Sequence, residues 1–489
     1  MRKPTAAFAL LLLTSLPAQM QLATTGDGGA VPGTSTLQLR GTANAPYLLL
    51  FSETETPIEP IPGIKLSIDL TWLDVCLALP PFVGTLNASG TASAAIPVPN
   101  LPTLYGVRMS LQSLELAPLG NVSNLLRITL QQRDTFAATL SAALAPIVTG
   151  QGFVQKNGKV LLIGGSGPAV QEYDPSLESF RIAGVVPSGN ILATQTELAD
   201  GTILVCGGIG LTGQPVQDAF VFDPATGQSK ALAGMASARA GHAAALLTNG
   251  RVLVVGGAQS LDFSNLPAFL AGILRTSEIY DPVAQTFSAG PSLLEQKVFH
   301  SATTLGNGEV LVAGGLSVVP ILNVPLVSAT AQSYTPALNV FGLPRVMAQA
   351  RMLHGAVALR NGKALLAGGL TIDFVNLAIT SVADAVTYTP GLLGGFSGAM
   401  ALGRGRALPA LAPVGASGCL IAGGFELKLT STELKLEPLT ASDRFDGSTI
   451  APTGPLQVAR VGAVAVSLPD GTVLIAGGGT LPCEIYQPR

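Results

Sequence analysis

The heptapeptide Arg251-Val-Leu-Val-Val-Gly-Gly257 decides the fold of this chain, because an apolar run that ends on two glycines recurs along the last two thirds of the sequence. The second glycines of the seven copies are Gly165, Gly208, Gly257, Gly315, Gly369, Gly424 and Gly478. Their spacings lie between 43 and 58 residues. A repeat of about 50 residues is typical of one four-stranded blade. The sequence therefore predicts an all-β chain dominated by a seven-bladed β-propeller.

Outward from the heptapeptide, the third repeat has four strand-like pieces joined by turns. Asn249-Gly250 suits a tight hairpin because both residues accept positive backbone torsions. Asp281-Pro282 favours a second turn through side-chain bonding and a fixed proline torsion. The strands predicted from this pattern are 238–247, 251–257, 277–280 and a fourth around Thr286-Phe287.

An aromatic residue opens the fourth strand in most repeats. The residues at this position are Phe180, Phe287 and Phe341, with Phe396 and Phe445 slightly shifted and Ser229 replacing the aromatic in the second repeat. The seventh repeat stops at Arg489, before a fourth strand could form. The segment 134–138 resembles 285–289, which predicts that Phe136 supplies the outer strand of the last blade beside Tyr486. Pairing the two chain ends in this way would close the ring.

Two further regions precede the repeats. Residues 1–23 have two basic residues, an apolar run and small residues, which predicts an export signal cleaved after Ala18 or Ala23. Residues 24–132 contain short alternating runs separated by Pro and Gly, which predicts a small antiparallel β-sandwich. The propeller is assigned to residues 133–489. We expect an exported chain, secreted or periplasmic, without a later membrane-spanning segment and with the propeller acting as a monomer.

Composition excludes some functions. The formal net charge is −3 with 11% charged residues, and Lys and Arg form no cluster, so nucleic acid is not an expected partner. The chain has four cysteines, few for a disulfide framework in an exported protein. Cys206 and Cys419 lie on comparable strands of different repeats, so we expect both to be buried free thiols.

The motifs together resemble a known family. Arg-x-x-His, the strand ending in Gly-Gly, and Tyr-Asp-Pro followed by an aromatic are similar to the Kelch repeat, in the variety of the galactose oxidase-like propellers. The resemblance covers about 134–489 and implies the fold more than the function, since such propellers host both enzymes and binding platforms. Galactose oxidase-like enzymes hold copper with two tyrosines and two histidines, and this chain resembles them in its repeats only. We therefore expect no cofactor and no metal site.

Three sets of residues remain as candidates for binding or catalysis. Cations near the start of each first strand could form a ring that binds carboxylates or acidic sugars, or each could cap carbonyls within its own blade. These residues are Arg239, Lys297, Arg351, Arg404 or Arg406, and Arg460. The histidines His242, His300 and His354 occupy one repeat position, which indicates a framework role more than a metal ring. The acids without an evident turn role are Asp262, Asp373, Asp384 and Glu426.

The longest connections follow the glycine pairs and emerge on one face of the disc. They are 258–276, 316–331, 370–383 and 425–432. They carry little charge, so they either pack on each other and on the sandwich or expose a surface for a protein. The predicted function is a non-enzymatic binding module that contacts a protein or glycan through this face. The alternative is an extracellular carbohydrate-acting enzyme with its site at the channel mouth, and a third possibility is a structural role in a cell envelope.

Overall fold

The computed structural model describes residues 20–26, 29–117, 119–165, 167–187, 191–319, 324–373, 378–391, 394–429, 434–479 and 481–488. The predicted signal segment therefore lies mostly outside the described residues. Within the described ranges, no helix combines the length and the apolar character needed to span a membrane.

Residues 20–132 form two main antiparallel sheets that share one core. A three-stranded sheet has the order β1-β3-β8, and a larger sheet has the order β10-β9-β4-β7, with β11 also paired to β9. Leu37 and Leu39 of the first sheet and Leu49 and Leu111 of the second belong to the same buried cluster. The short helix was not predicted, because six residues are too few to show a helical period. The elements are β1 (Gln21–Gly26), β2 (Ala30–Val31), β3 (Gly33–Arg40), β4 (Pro46–Ser52), β5 (Ile58–Ile61), β6 (Ile64–Leu66), α1 (Leu73–Ala78), β7 (Val83–Thr85), β8 (Thr91–Val98), a 3-10 turn (Pro102–Leu104), β9 (Arg108–Leu116), β10 (Leu119–Val122), β11 (Leu126–Thr129) and β12 (Gln131–Gln132).

Antiparallel sheets follow, consistent with a β-propeller. Among the described residues there are seven of them, five with four strands and two with a short fifth strand. We call them sheets I to VII in chain order. The strands of sheets I and II are β14 (Gln151–Val154), β15 (Val160–Ile163), β16 (Ala169–Asp174) and β17 (Ser179–Val185), then β18 (Thr194–Glu197), β19 (Ile203–Cys206), β20 (Ala219–Asp223) and β21 (Gln228–Ala231). β13 (Thr135–Ala138) precedes sheet I in the chain but is the outermost strand of sheet VII.

Sheets III to VI carry additional elements between their second and third strands. Sheet III contains β22 (Ala243–Leu246), β23 (Val252–Val255), the inserted α2 (Leu266–Ala271), β24 (Ser277–Asp281) and β25 (Thr286–Ala289). Sheet IV contains β26 (Ser301–Thr304), β27 (Val310–Ala313), the inserted hairpin β28 (Leu316–Val319) and β29 (Val324–Val327), then β30 (Thr330–Thr335), β31 (Val340–Phe341) and β32 (Arg345–Val346).

Sheets V and VI also have a hairpin between their second and third strands, and sheet VII has a short connection there, as sheets I and II do. Sheet V contains β33 (Gly355–Ala358), β34 (Ala364–Ala367), the hairpin β35 (Leu370–Asp373) and β36 (Ala378–Ser381), then β37 (Asp384–Thr389), β38 (Gly395–Phe396) and β39 (Met400–Ala401). Sheet VI contains β40 (Ala410–Val414), β41 (Gly418–Ala422), the hairpin β42 (Phe425–Leu429) and β43 (Leu434–Pro438), then β44 (Ser442–Phe445) and β45 (Ile450–Pro452). Sheet VII contains β46 (Ala463–Ser467), β47 (Val473–Gly477) and β48 (Glu484–Gln487), with β13 paired to β48 so that Phe136 lies opposite Tyr486.

The first strands of the sheets contact one another in chain order. Contacts run from β18 through β22, β26, β33 and β40 to β46, and from β46 on to β14. The first and last sheets of the chain are thus neighbours. These contacts place the sheets side by side through their first strands.

Tyrosine and phenylalanine rings pair between the third and fourth strands. The ring centroids of Tyr280 and Phe287 are 5.0 Å apart, and the same contact occurs between Tyr388 and Phe396 at 5.0 Å. The assignment of Phe445 to a fourth strand is wrong. Phe445 belongs to β44, the third strand, opposite Cys419, and Ile450 faces it from the fourth. The error arose because Asp446-Gly447 replaces the usual Asp-Pro turn.

The cysteines are buried thiols without disulfide partners, as expected for Cys206 and Cys419. Burial raises the pKa of the Cys206 thiol to about 11 and that of Cys419 further still. Thiols held in this neutral state are poor nucleophiles. They act as small apolar side chains in the contacts between neighbouring sheets.

Candidate functional site: the long-loop face

The predicted cation positions share one contact. Each side chain donates to the carbonyl oxygen of the first glycine of its own Gly-Gly pair, 17 residues later in the chain. Arg239 Nη1 is 2.8 Å from the Gly256 oxygen, and Arg460 Nη1 is 2.7 Å from that of Gly477. Because the glycine ends the second strand, this bond fixes the entrance of the first strand to the end of the second.

Each of these cations also has an acidic partner. The ion pairs are Arg239–Glu278 (2.6 Å), Lys297–Glu295 (3.1 Å), Arg351–Asp384 (2.5 Å), Arg406–Asp443 (2.6 Å) and Arg460–Glu484 (2.8 Å). All five cationic side chains are 0% exposed. An external anion has no surface through which to reach them. The contacts therefore agree with the second of the two interpretations given above, in which each cation caps carbonyl oxygens within its own sheet.

Arg406, and not Arg404, holds the repeat position in sheet VI. Arg406 donates to the oxygens of Gly423 and Ala441 and pairs with Asp443. Arg404 is 37% exposed and contacts Glu426 and Glu437 of the β42–β43 hairpin instead. The sequence has two arginines two residues apart at this place. Only the register of the first strand determines which of them is buried at the repeat position.

Sheet I shows that the buried charges are matched in pairs. Ile147 occupies the cation position there, since its carbonyl accepts from Gly478 as the carbonyl of Arg460 accepts from Gly424. The third strand of sheet I accordingly carries Gln171, whose oxygen accepts from Leu144 N. In sheet VII, Glu484 has the same role toward Gln457 N. Sheet I thus lacks both the cation and the acid. Sheet IV also has a glutamine in this role, Gln332 toward Leu294 N, and its Lys297 is paired with Glu295 instead, so in neither sheet is a lone charge buried.

Burial affects the ionisation of two of these pairs. In sheet IV burial lowers the pKa of Lys297, although Glu295 and the hydrogen bond between them oppose the effect. In sheet VI burial lowers the pKa of Arg406 and raises that of Asp443, while the attraction between the two charges acts in the opposite direction.

The three histidines are framework residues wedged between sheets. His242 Nε2 lies 3.0 Å from Thr194 Oγ1, and His354 Nε2 lies 2.8 Å from Ser301 Oγ, each hydroxyl belonging to the preceding sheet. Neither ring nitrogen of His300 has a hydrogen-bond partner. Burial lowers the pKa of each imidazole to about 3, with nearby cations adding to the effect. Among the described residues, no three His, Cys, Asp or Glu side chains form a group that could hold a metal ion.

Close contacts with the neighbouring sheet explain the glycine pairs. Even in sheet VII, whose following sheet has no histidine at this position, a Cβ on Gly477 would lie 2.3 Å from the carbonyl oxygen of Ile147. A Cβ on Gly207 would lie 2.6 Å from His242 Cε1, and a Cβ on Gly256 would lie 2.6 Å from His300 Cε1. The second glycine of the pair abuts the histidine of its own sheet, with 2.7 Å from a Gly257 Cβ to His242 Cβ. Both glycines are therefore required by the close approach of neighbouring sheets.

A ring of backbone hydrogen bonds near the axis was not predicted from the sequence. The residue two positions after each cation has a positive φ in every sheet: Thr149, Leu192, Gly241, Phe299, Leu353, Leu408 and Gly462. Six of these seven residues, all but Leu192, donate their N–H to the carbonyl of the counterpart in the preceding sheet, from Gly241 to Leu192 (3.2 Å) through to Thr149 to Gly462 (2.9 Å). The two glycines in this set are only a weak sequence signal for the positive φ, since the other five residues are bulkier and adopt the same left-handed conformation.

The long connections form an apolar tier above this ring. In sheets III to VI the residue after the cation pairs with the residue after the glycine pair, as in Val298 with Leu316 and Met352 with Leu370. Neighbouring hairpins also contact each other, and Leu427 N donates to Ser381 Oγ across two of them at 2.9 Å. The buried residues of this tier are Ala258, Phe269, Leu270, Ile273, Val298, Leu316, Val318, Val327, Met352, Leu370, Ala407 and Phe425.

The tier does not bury all of its apolar side chains. Phe263 is 62% exposed although its ring lies 4.9 Å from the buried ring of Phe269. Large apolar side chains in the connections between second and third strands are exposed at Leu211, Phe263, Leu266, Val324, Leu326 and Leu436. The loops thus pack on each other and also present apolar surface to solvent. None of the residues in this cluster comes from the N-terminal region.

The acids that the sequence left unexplained have structural partners or solvent positions. Asp384 pairs with the buried Arg351, and Glu426 pairs with Arg404. Asp262 is exposed and accepts from Ser264 N at 3.0 Å in a local turn. Asp373 is also exposed, at the end of β35. Asp384, Glu426 and Asp262 thus each have a different partner.

The N-terminal region docks on the other face. Arg127 donates to Leu177 O at 2.6 Å, and Thr129 Oγ1 donates to Glu178 at 3.1 Å. Residues 175–178 connect β16 to β17, and this connection emerges opposite the long loops because successive strands alternate in direction. A cavity of about 550 Å³ lies between the two regions, lined among others by Met20, Leu22, Lys159, Asp174 and Asp470.

Comparisons with known proteins concern the fold. No family model matches the sequence, and no curated protein matches it. The structure titled "Structure of YjhT" superimposes with a TM-score of 0.50 and 17% identity, covering 65% of this chain and 100% of that one. A fungal alcohol oxidase of the AA5 family, solved in complex with copper, gives a TM-score of 0.49 and 19% identity, covering 72% of this chain and 75% of the other. The YjhT match supports a β-propeller fold for this chain.

Proposed function

We propose that this chain is an exported binding protein whose seven-bladed, Kelch-like propeller contacts a protein partner through the long-loop face. Residues 24–132 are its β-sandwich, and β13 closes the ring by completing sheet VII. The seven antiparallel sheets and the pairing of Phe136 with Tyr486 support the blade number and the closure. The recurring cation, histidine and Gly-Gly contacts support the Kelch-like repeat.

The observation that carries the proposal is the exposed apolar surface on a tier that is itself well packed. Phe263 and Leu326, which are 62% and 48% exposed, lie on connections fixed from below by buried Phe269 and Val327. Contiguous exposed apolar surface on a soluble chain marks interaction sites. Aromatic and aliphatic side chains on an ordered base suit the centre of a protein interface. We favour a protein over an acidic glycan as the partner, because the cations that could have bound acidic sugars are buried in ion pairs.

Substitution on the two faces tests the proposal. Wild-type protein, the variant Phe263→Ser/Leu326→Ser and the control Val283→Ser/Leu343→Ser would each be immobilised and exposed to extracellular material from the source organism. Val283 and Leu343 are 94% and 83% exposed and lie outside the tier. We expect one protein to bind the wild type and the control alike, and binding to the tier variant to fall at least about tenfold, as two interface anchors of more than 1 kcal/mol each would give.

Two results would contradict the proposal. Equal capture by all three proteins would place the contact elsewhere. Binding of a glycan panel by the wild type, unchanged in the tier variant, would assign the chain to carbohydrate recognition. Matching melting temperatures of the three proteins would show that the substitutions act on binding and not on folding.

A further inference from the structure

The first described residues, 20–23, belong to the folded N-terminal core. β1 pairs with β3 from Gln21 opposite Arg40, through Leu22 opposite Leu39, to Gly26 opposite Ser35. Met20 and Leu22 are 1% and 3% exposed and belong to the buried cluster shared by both sheets. This strand lies within the segment 1–23 that the sequence assigns to an export signal.

Side chains from a distant loop hold the backbone of this strand. Leu22 N donates to Asn124 Oδ1 at 2.8 Å, and Asn124 Nδ2 donates to Leu22 O at 3.0 Å. The Asn124 amide thus satisfies both backbone groups of Leu22 as a neighbouring strand would. Met20 N donates to Asn121 Oδ1 at 3.3 Å. Residues 20–23 also line the cavity between the N-terminal region and the propeller.

The sequence leaves two bonds open to a signal peptidase, after Ala18 and after Ala23, since both offer the small residue that the enzyme requires. Cleavage after Ala23 would remove Met20 and Leu22 from the core and leave only Thr24 to Gly26 of β1. It would also deprive Asn124 of both of its Leu22 partners. Cleavage after Ala18 would keep the strand and every one of these contacts.

We infer that the export signal is removed at the Ala18–Gln19 bond, so that the mature chain begins at Gln19 and the N-terminal domain at Met20. This inference rests on the proposed export of the chain. It moves the expected domain boundary from residue 24 to residue 20. The strand β1 then belongs to the mature protein as the edge of the β1-β3-β8 sheet.

The mass of the processed protein tests the inference. The full chain would be produced in a bacterial host, and the intact mass and N-terminal sequence of the exported protein determined for the wild type, Ala18→Phe and Ala23→Phe. Ala23 is exposed on β1, so a phenylalanine there is compatible with the fold. We expect the wild type and Ala23→Phe to begin at Gln19 in similar yield. Ala18→Phe should reduce the yield of processed protein at least about tenfold, because a bulky residue does not fit the site before the cleaved bond.

The outcomes separate this inference from the export proposal. An exported chain that begins at Thr24, or a loss of processing in Ala23→Phe, would overturn the cleavage site while export stands. Retention of an uncleaved chain inside the cell would overturn export itself. A second measurement uses leaderless proteins that begin at Met1 followed by Gln19 or by Thr24. The shorter one should melt about 5 °C lower, since two buried side chains are missing.

Discussion

Sheets III to VI and sheets VII, I and II use the same repeat for different purposes. In sheets III to VI, here called the first arc, α2 and three hairpins extend above the glycine pairs and bury a common apolar cluster. In sheets VII, I and II, the second arc, the connections between the second and third strands are short. Sheets VII and I contact the N-terminal region on the opposite face. The buried Arg–carboxylate pair occurs both under the tier, at Arg351, and outside it, at Arg460. The pair therefore belongs to the framework of the sheets, and the tier is the part that varies.

Histidines sharpen the contrast between the arcs. His242, His300 and His354 belong to sheets III, IV and V. The corresponding residues elsewhere are small or proline, namely Gly150, Ala193, Pro409 and Ala463. The last three lie against the second glycine of their own sheet, and Gly150 lies against Gly164, the first glycine of its pair. The first arc therefore holds the imidazoles, and the sensitivity of the molecule to acid should be concentrated there.

The largest expected effect comes from breaking a framework pair. Arg460→Met should lower the free energy of unfolding by about 3–5 kcal/mol, because Glu484 is left buried without its cation. Arg351→Met should have a similar effect under the tier, measured by urea unfolding. The control Arg251→Met removes an exposed pair with Asp281, where Arg251 is 53% exposed, and should change stability by less than about 1 kcal/mol. Equal small effects for all three would refute the framework role.

The ring of backbone hydrogen bonds can be broken at Gly241. An alanine there takes a φ of 62° and places its Cβ 2.8 Å from Phe299 Cε1, so we expect a loss of about 2–3 kcal/mol. Gly250→Ala is the matched control, because Gly250 has a φ of 81° but nothing within 4 Å of a new Cβ. That control should lose about 1 kcal/mol in thermal unfolding from the backbone strain alone. If both alanines had the same effect, the packing of Phe299 over the ring would be unimportant.

Acid should destabilise the histidine arc. The folded-state pKa of about 3 lies below the ordinary value near 6.5, so the unfolded chain binds more protons between these values. Stability is therefore fully present above pH 6.5 and falls as the pH drops toward 3, by about 1.4 kcal/mol per pH unit for each histidine. Urea unfolding of the wild type and His300→Leu at pH 7 and pH 5 measures this slope. The variant should show a shallower dependence on pH, and an unchanged slope would contradict the assignment.

The smallest expected effect is a gain at Ala243. This residue holds in sheet III the place of Thr194 in sheet II and Ser301 in sheet IV, each opposite the last residue of the second strand. Ala243→Ser should give His300 the hydroxyl partner that it lacks and raise stability by about 1 kcal/mol. Ala410→Ser is the control, since the following sheet has Ala463 in place of a histidine. In Ala410→Ser the buried hydroxyl should lower the stability of the protein. A gain of stability in both variants would show that the His300 imidazole is not the cause of the effect.

The local parts of the repeat could be predicted because they depend on neighbours in sequence. Asp281 accepts from Val283 N at 2.9 Å in the predicted turn, and Tyr280 meets Phe287 across the predicted third and fourth strands. The prediction failed at Phe445, where the turn residues changed and the aromatic had to be assigned by register alone. The sequence left Arg404 and Arg406 undistinguished for the same reason. A shift of two residues leaves the strand pattern unchanged but exchanges a buried side chain for an exposed one.

The sequence by itself determined the apolar second strands, the glycine pairs and the turns, because these follow from backbone torsions and alternation over a few residues. Only the tertiary structure decided what the polar side chains do. The acid that neutralises Arg239 is 39 residues away, and the hydroxyl that meets His242 is 48 residues away in another sheet. Whether a cation faces solvent or a buried carboxylate depends on such distant neighbours, and so does the difference between a binding ring and a structural frame.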